Sequence, residues 1–272
     1  MRLVDWLWLR LLTLMALGFG LGFGFLPQAW GAAPAREARI VAEWDHDPSL
    51  FTQALFFDGQ DIVESAGLYG RSRVIRYRPG GQVLAEFRPG AEFFAEGAAL
   101  VGDEIYVLTW REGVVFILDA QTLTLKKTLF LPRESWGLTF DGTQLWRSDG
   151  SAQLWPHQLS LAAAGRPVTV RDGDKTIKFL NELERDPQSG LILANIFGQT
   201  RVAFIEPRTG TVKFYLDCQK IAKKYAPKNP EAVLNGLALD PAGRLFLTGK
   251  LWPRLFQVDW DPIPMNGAPD LE

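Results

Sequence analysis

Five stretches of the chain share one alternation of residue character. Each opens on a polar or aromatic residue, passes small or apolar positions, turns on Asp or Gly and enters an apolar strand. They begin at Gln53 (QALFFDGQDIVES), Glu96 (EGAALVGDEIYVLT), Trp136 (WGLTFDGTQLWRS), Asn181 (NELERDPQSGLILAN) and Asn235 (NGLALDPAGRLFLT). The spacings of 43, 40, 45 and 54 residues are those of a radial or stacked array. Each unit predicts about four short strands, the content of one propeller blade. The expected strands are 54–57, 61–65, 74–77 and 83–87; then 98–101, 105–110, 114–118 and 125–131; then 138–140, 145–147, 152–155 and 168–170; then 183–185, 191–194, 202–205 and 212–216. The fifth unit offers only 237–239, 245–248 and 255–258, because Asp261-Pro262-Ile263-Pro264 follows and proline cannot donate to a ladder. An unpartnered apolar run at 39–44 has the character of the missing strand. The expectation is therefore an all-β, five-bladed β-propeller of twenty strands. Its N-terminal strand closes the last blade and removes the exposed edges.

Two segments stand outside this rhythm. Residues 217–230 carry Ile221-Ala222-Lys223-Lys224-Tyr225, read as a short helical, solvated insertion that accounts for the longest spacing, with substrate docking by this basic run as the rival reading. Residues 1–33 read as a signal peptide with its cleavage region. Arg2 and Arg10 give a positive start, 11–26 is apolar or glycine except Thr13, and 27–33 supplies Pro and small residues. An uncleaved anchor is the rival reading, since 6–26 approaches the roughly 20 residues that span a bilayer. Either way the body, a single domain over 34–272, is expected to be periplasmic or secreted.

Composition removes several function classes. A net charge of −2 offers no broad attraction to nucleic acid or anionic lipid. Two histidines and one cysteine, Cys218, leave no disulfide framework and no zinc-ligand cluster. Ser65, Ser148 and Ser151 have no histidine in matching register, so a nucleophilic triad is not expected. Asp58, Asp141, Asp186 and Asp240 each fall five residues after a unit's first position, which marks hairpin chemistry and not calcium binding.

The first strand of a propeller blade lines the axis, so equivalent positions form a ring at one mouth. That ring is Gln53, Glu96, Trp136, Asn181 and Asn235, and the second-strand ends could add Trp110, Phe197 and Lys250. Three amides, an indole and one acid make a polar cup with aromatic walls, suited to a small ligand. Glu96, set between Phe94 and Trp110, is expected to be partly desolvated, with its pKa raised toward acid and base work near neutral pH. A purely structural reading of each residue stays open here: Glu96 bonding backbone across the channel, Lys250 a surface charge or an ion-pair partner of Glu96, the amides tying blades together, the tryptophans in the core.

Phe51-Thr52-Gln53, Ser65-Ala66-Gly67-Leu68-Tyr69-Gly70, Phe94-Ala95-Glu96-Gly97, Leu108-Thr109-Trp110 and Trp136-Gly137-Leu138 resemble the plant and bacterial glutaminyl-peptide cyclotransferases. So do Ser148-Asp149-Gly150-Ser151, Leu180-Asn181-Glu182-Leu183-Glu184, Leu234-Asn235-Gly236 and Thr248-Gly249-Lys250-Leu251-Trp252-Pro253, in order over 44–260. The resemblance implies a five-bladed propeller with no required metal or other cofactor, converting N-terminal glutamine of peptides to pyroglutamate with loss of ammonia. It implies that Phe51, Gln53, Phe94, Glu96, Trp110, Trp136, Asn181 and Lys250 form the site, with Glu96 as acid/base. Asn181 and Lys250 would share the catalytic work, and Phe197 and Asn235 would add to substrate binding. The implied partners are peptide or protein N-termini beginning with Gln. No nucleic acid and no membrane are implied beyond a possible uncleaved leader, and the chain is expected to be a monomer. The family pattern has glycine where Ala54 and Ala95 stand, threonine at Ala66 and tryptophan at Phe197. The Ala95 methyl would displace Glu96 if that backbone needs φ > 0. The alternatives are a non-catalytic propeller that binds a peptide or saccharide in the same cup, and a calcium-dependent lactonase or hydrolase.

Overall fold

The structure, a computed structural model, describes residues 32–260. The leader reading over 1–33, apart from its last two residues, and the proline segment at 261–264 lie outside the described residues. The architecture is all-β and propeller-like. Four sheets have four strands each. The first runs Thr52–Asp58, Asp61–Ala66, Arg73–Tyr77 and Val83–Phe87. The second runs Ala95–Val101, Glu104–Thr109, Val114–Asp119 and Leu125–Phe130, and the third Leu138–Phe140, Leu145–Arg147, Gln153–His157 and Val168–Thr169. The fifth joins Leu234–Leu239, Leu245–Gly249 and Arg254–Asp259 to Arg39–Asp45, antiparallel with Trp44 opposite Leu255. The orphan strand thus pairs where the sequence placed it.

The fourth sheet departs from the expectation. Beyond Leu180–Arg185, Ile192–Ile196, Arg201–Glu206 and Thr211–Asp217 it gains the hairpin Arg171–Asp172 and Lys175–Thr176 and the strand Ala35–Glu37. Arg171–Asp172 and Ala35–Glu37 both lie parallel to Thr211–Asp217 and cover its outer edge, so the described residues hold seven strands here and not four. Pieces of two or three largely exposed residues leave no alternation to read, which is why they escape the sequence.

The innermost strands of the five sheets pack one against the next, and Leu234–Leu239 against Thr52–Asp58. The core is correspondingly divided into layers between neighbouring sheets. Ile105 and Val107 face Ala54, Val63 and Val74 of the first sheet, while the alternate residues Tyr106 and Leu108 face Leu138 and Leu145 of the third. Successive side chains of a strand point to opposite faces, and here both faces are buried. The second and third strands of the second sheet therefore read as nearly continuous apolar runs, each fully buried Leu or Ile contributing about 1.5–3 kcal/mol. At the first-to-second strand turns, Asp141 Oδ1 accepts from the backbone N–H of Thr143 and Gln144 at 2.8 Å each, and Asp240 Oδ1 from Ala242 and Arg244. These aspartates are turn formers, as expected.

Candidate active site

The four ring residues that lie within strands share a recurring irregularity. The ladder between first and second strands shifts register between Thr52 and Ala54, Ala95 and Ala98, Leu180 and Leu183, and Leu234 and Leu237. Gln53, Glu96, Asn181 and Asn235 each sit inside one of these bulges, the device by which a sheet re-aims a side chain. Trp136 precedes its strand and needs none. Close approach demands glycine beside it: a Cβ on Gly137 would stand 2.0 Å from the carbonyl oxygen of Asn181.

Gln53, Glu96, Trp136 and Asn181 line one cavity of about 370 Å³, together with Phe51, Phe94, Trp110, Phe197, Lys250, Leu68 and Glu231. Glu96 is 5 % exposed. Its Oε1 accepts from Gln53 Nε2 at 2.9 Å, and its Oε2 is buried with no hydrogen-bond partner among the described residues. Asn235 is not brought to the wall. It lies behind Gln53, its Nδ2 donating to the carbonyl of Thr52 at 2.8 Å and to Gln53 Oε1 at 3.4 Å. The expectation of direct substrate contact for Asn235 is therefore replaced by a chain in which Asn235 holds Gln53 and Gln53 holds Glu96.

Aromatic residues form the rest of the cup. Phe94 packs edge-on to Phe51 at 6.2 Å and lies 5.5 Å from Trp110, while Trp136 meets Phe197 at 5.9 Å. Phe197, 42 % exposed, is an outer lip. Lys250 is buried, with its Nζ 4.6 Å from the centroid of the Phe51 ring and 5.5 Å from that of Phe197. It is neither the surface charge nor the direct ion-pair partner of Glu96 that the sequence left open, since the two charges act on one another at longer range. A tight turn presents it. Gly249 is packed against Trp252, Leu251 adopts φ 62°, and the Lys250 and Leu251 amides donate to the carbonyls of Val233 and Leu50.

The arrangement matches a known one. Residues 23–260 fit the family model described as glutamine cyclotransferase. The chain belongs to the glutamine cyclotransferase family. It is 33% identical over 229 residues to a glutaminyl-peptide cyclotransferase of Arabidopsis thaliana, covering 82% of this chain and 71% of that protein. It is also similar to the crystal structure of Myxococcus xanthus glutaminyl cyclase, with a TM-score of 0.77 and 36% identity over 84% of this chain and 98% of that one.

Against the family pattern, Ala54 and Ala95 turn out to be accommodated. Neither is among the residues of positive φ, and both are buried in the layer between the first and second sheets. Ala95 donates its N–H to Ser72 Oγ at 3.0 Å, so its methyl fills core space and does not displace Glu96.

Electrostatics divides the polar residues. Burial, the largest influence, drives the Glu96 carboxyl well above its ordinary value; Lys250 opposes this, and Glu134 and Glu112 add to it. Burial likewise pulls Lys250 down to about 8, against the pull of Glu96 and Glu231. The cup thus holds an acid and an amine whose charged forms are both disfavoured by burial, the acid pushed upward and the amine lowered to about 8. Among the described residues no group of three or more His, Cys, Asp or Glu side chains is placed to hold a metal ion. Leu68, Glu231 and Glu134 were not read as site residues. All three lie in loops, where no periodicity marks them.

Proposed function

We propose that this member of the glutamine cyclotransferase family converts N-terminal glutamine of peptides and proteins to pyroglutamate, releasing ammonia, with Glu96 as the proton-transferring group. The observation that carries the reading is one buried carboxylate, fixed through Oε1 and without a protein partner on Oε2, in an aromatic cup. The substrate's neutral α-amine attacks its own side-chain carboxamide carbon, and the C–N bond to the leaving nitrogen breaks as the five-membered ring closes. Glu96 takes the proton from the amine and returns it to the departing ammonia, a transfer worth ~10² to 10⁴ in rate. Nucleophile and electrophile are already tethered, so the walls Trp110 and Trp136 contribute by holding the reactive rotamer. Gln53 already donates to Glu96, so its part is to orient the carboxylate. Lys250 and Asn181 remain as donors for the oxygen on which charge develops.

The cyclic packing of innermost strands and the sheet closed by Arg39–Asp45 support reading the fold as a five-bladed propeller, one domain over 34–272. The leader pattern over 1–33 supports export to the periplasm or the exterior. Ammonia release from a Gln-initiated peptide, unaffected by chelator and lost in Glu96→Gln, tests the assignment. A folded wild-type protein that binds the peptide without turnover would establish the non-catalytic reading, and chelator-sensitive lactone hydrolysis the lactonase one.

A further inference from the structure

The two wall tryptophans come from different sheets. Trp110 follows the second strand of the second sheet and Trp136 precedes the first strand of the third, so no ladder sets the angle between their rings. A single atom bridges them. Both indole Nε1 groups donate to Glu134 Oε1, each at 3.0 Å. Glu134 Oε2 stands 3.5 Å from Arg111 Nε, and the Arg111 guanidinium lies 3.8 Å over the Trp110 ring.

The backbone at Glu134 is anchored from below. Its carbonyl accepts from Arg147 Nη1 at 2.6 Å, and Arg147 is 1% exposed. The next residue, Ser135, donates its N–H to the Trp110 carbonyl at 2.9 Å, and the Trp136 N–H donates to Ser148 at 3.0 Å. Behind the Trp136 ring, Gly150 leaves no room for a side chain, since a Cβ there would lie 2.6 Å from it.

We propose that Glu134 is a positioning residue for the cyclisation: one carboxylate oxygen holds both wall indoles and fixes the slot in which the glutamine side chain folds back on its own amine. The inference rests on the cyclase reading above. The competing account makes Glu134 an exposed ion-pair partner of Arg111, and such pairs contribute about 0–1 kcal/mol and would leave kinetics unmoved. Partial burial pushes the Glu134 carboxyl up, but the indole donors of Trp136 and Trp110 and the charge of Arg111 outweigh it and hold the group ionised. Its charge also reaches Glu96, on which Lys250, Glu134 and Glu112 act.

The test compares Glu134→Ala, Glu134→Gln and Glu96→Gln by steady-state kinetics on a Gln-initiated peptide and by the ¹⁵N-indole resonances of the ligand-free protein. Glu134→Ala should shift two indole N–H resonances and lower kcat/KM by about tenfold to a hundredfold, the range that misplacing reactants commands. Glu134→Gln keeps an acceptor oxygen. It should restore both resonances and bring kcat/KM to within about threefold of wild type, while the acid limb of its pH profile moves to lower pH because a negative charge near Glu96 is gone. Wild-type kcat/KM in a folded Glu134→Ala, or unmoved indole resonances, overturns the proposal. If Glu134→Ala does not fold, Glu134→Leu, which keeps the bulk and removes both acceptor oxygens, takes its place: wild-type kcat/KM or unmoved indole resonances in it overturn the proposal, and a lowered kcat/KM with both resonances shifted supports it. Full activity in Glu96→Gln would instead sink the cyclase mechanism, leaving the indole resonances to report on the bracket alone.

Discussion

At the scale of single residues, the site is made of groups held away from their preferred charge states. For Glu96 the sign is definite. Its folded pKa lies above the unfolded value of 4.5, so the stability contributed by the protonated carboxyl is fully present below that value and is lost as pH rises through the folded one. Glu96→Gln keeps the neutral shape at all pH. Its melting temperature should therefore equal that of the wild type near pH 4 and exceed it near pH 8, while ammonia release falls by at least ~10²-fold; a variant less stable at pH 8 would show that the ionised carboxylate is structural. Lys250 tests the other half of the charge pair. With a pKa lowered from 10.5 to about 8, it should give kcat/KM an alkaline limb near pH 8. Lys250→Arg, whose guanidinium stays protonated (pKa above about 12), should move that limb upward by about two units or more, and an unmoved limb would assign it elsewhere. Much of this was legible, because one acid standing in register with three amides and an indole is unusual. Glu182 was not. It shares the bulge with Asn181 and is buried, its Oε1 accepting from the Leu55 N–H at 3.4 Å, yet its spacing marks it no differently from an outward-facing strand residue.

At the scale of elements, bulges and tight turns place the site, and strand patterns do not reveal them. The expected inner strands began at 98, 183 and 237, three residues after the observed starts at Ala95, Leu180 and Leu234, because a bulge breaks the period-two alternation on which the reading depends. Gly150 is one such turn. Its φ of +76° and its packing on the Trp136 ring predict that Gly150→Ala strains the backbone and pushes the indole into the cup. Its kcat/KM should fall by about tenfold, with a melting temperature lowered by a few degrees; wild-type kinetics would mean that the ring yields freely. The insertion also acquires a role from its placement. Its helix, Gln219–Tyr225, is anchored by buried Ile221 and by Tyr225, whose ring lies tilted against Phe256 with centroids 4.7 Å apart, and the chain beyond it brings Glu231 to the cavity wall. On the cyclase reading, a peptide leaving the cup would pass this carboxylate at the cavity wall. Glu231→Lys should lower the kcat/KM of a Gln-Lys peptide relative to a Gln-Glu peptide by about two- to fivefold, as expected of an exposed charge; an unchanged ratio would place the outgoing chain elsewhere.

At the scale of the molecule, closure of the last sheet and construction of the site are one event. The unit spacing and the prolines after Trp260 made the N-terminal strand's partner legible before any coordinates. What lies beneath the closure was hidden, since its residues are scattered along the chain. His46, directly after the closing strand, donates through Nδ1 to the Trp252 carbonyl at 2.7 Å and through Nε2 to Glu64 at 3.0 Å, and Glu64 also accepts from Thr52 and Tyr77. With acceptors on both ring nitrogens the imidazolium form is favoured. Burial lowers its pKa, but the charge and hydrogen bond of Glu64 and the Trp252 carbonyl together raise it above 6.5, so this support is full below that pH and fades as pH rises through the folded value. Trp252 ends the turn that carries Lys250, and Thr52 precedes Gln53, so the strand Arg39–Asp45 reaches both sides of the cup through His46. A chain beginning at residue 47 would expose the ladder edge of Arg254–Asp259 and strand Glu64 as a buried carboxylate without its cation, a loss of about 3–5 kcal/mol. It should unfold at a markedly lower temperature, elute as aggregates in size-exclusion chromatography and release no ammonia, whereas a chain beginning at residue 32 should stay stable, unaggregated and active. Because an open edge accepts an added strand, a peptide of residues 35–46 supplied in trans should abolish the aggregates and restore part of the activity. A truncated chain that stays monomeric with an unchanged melting temperature would mean that the ring of inner strands closes without this strand, and that Lys250 owes its position to the turn alone.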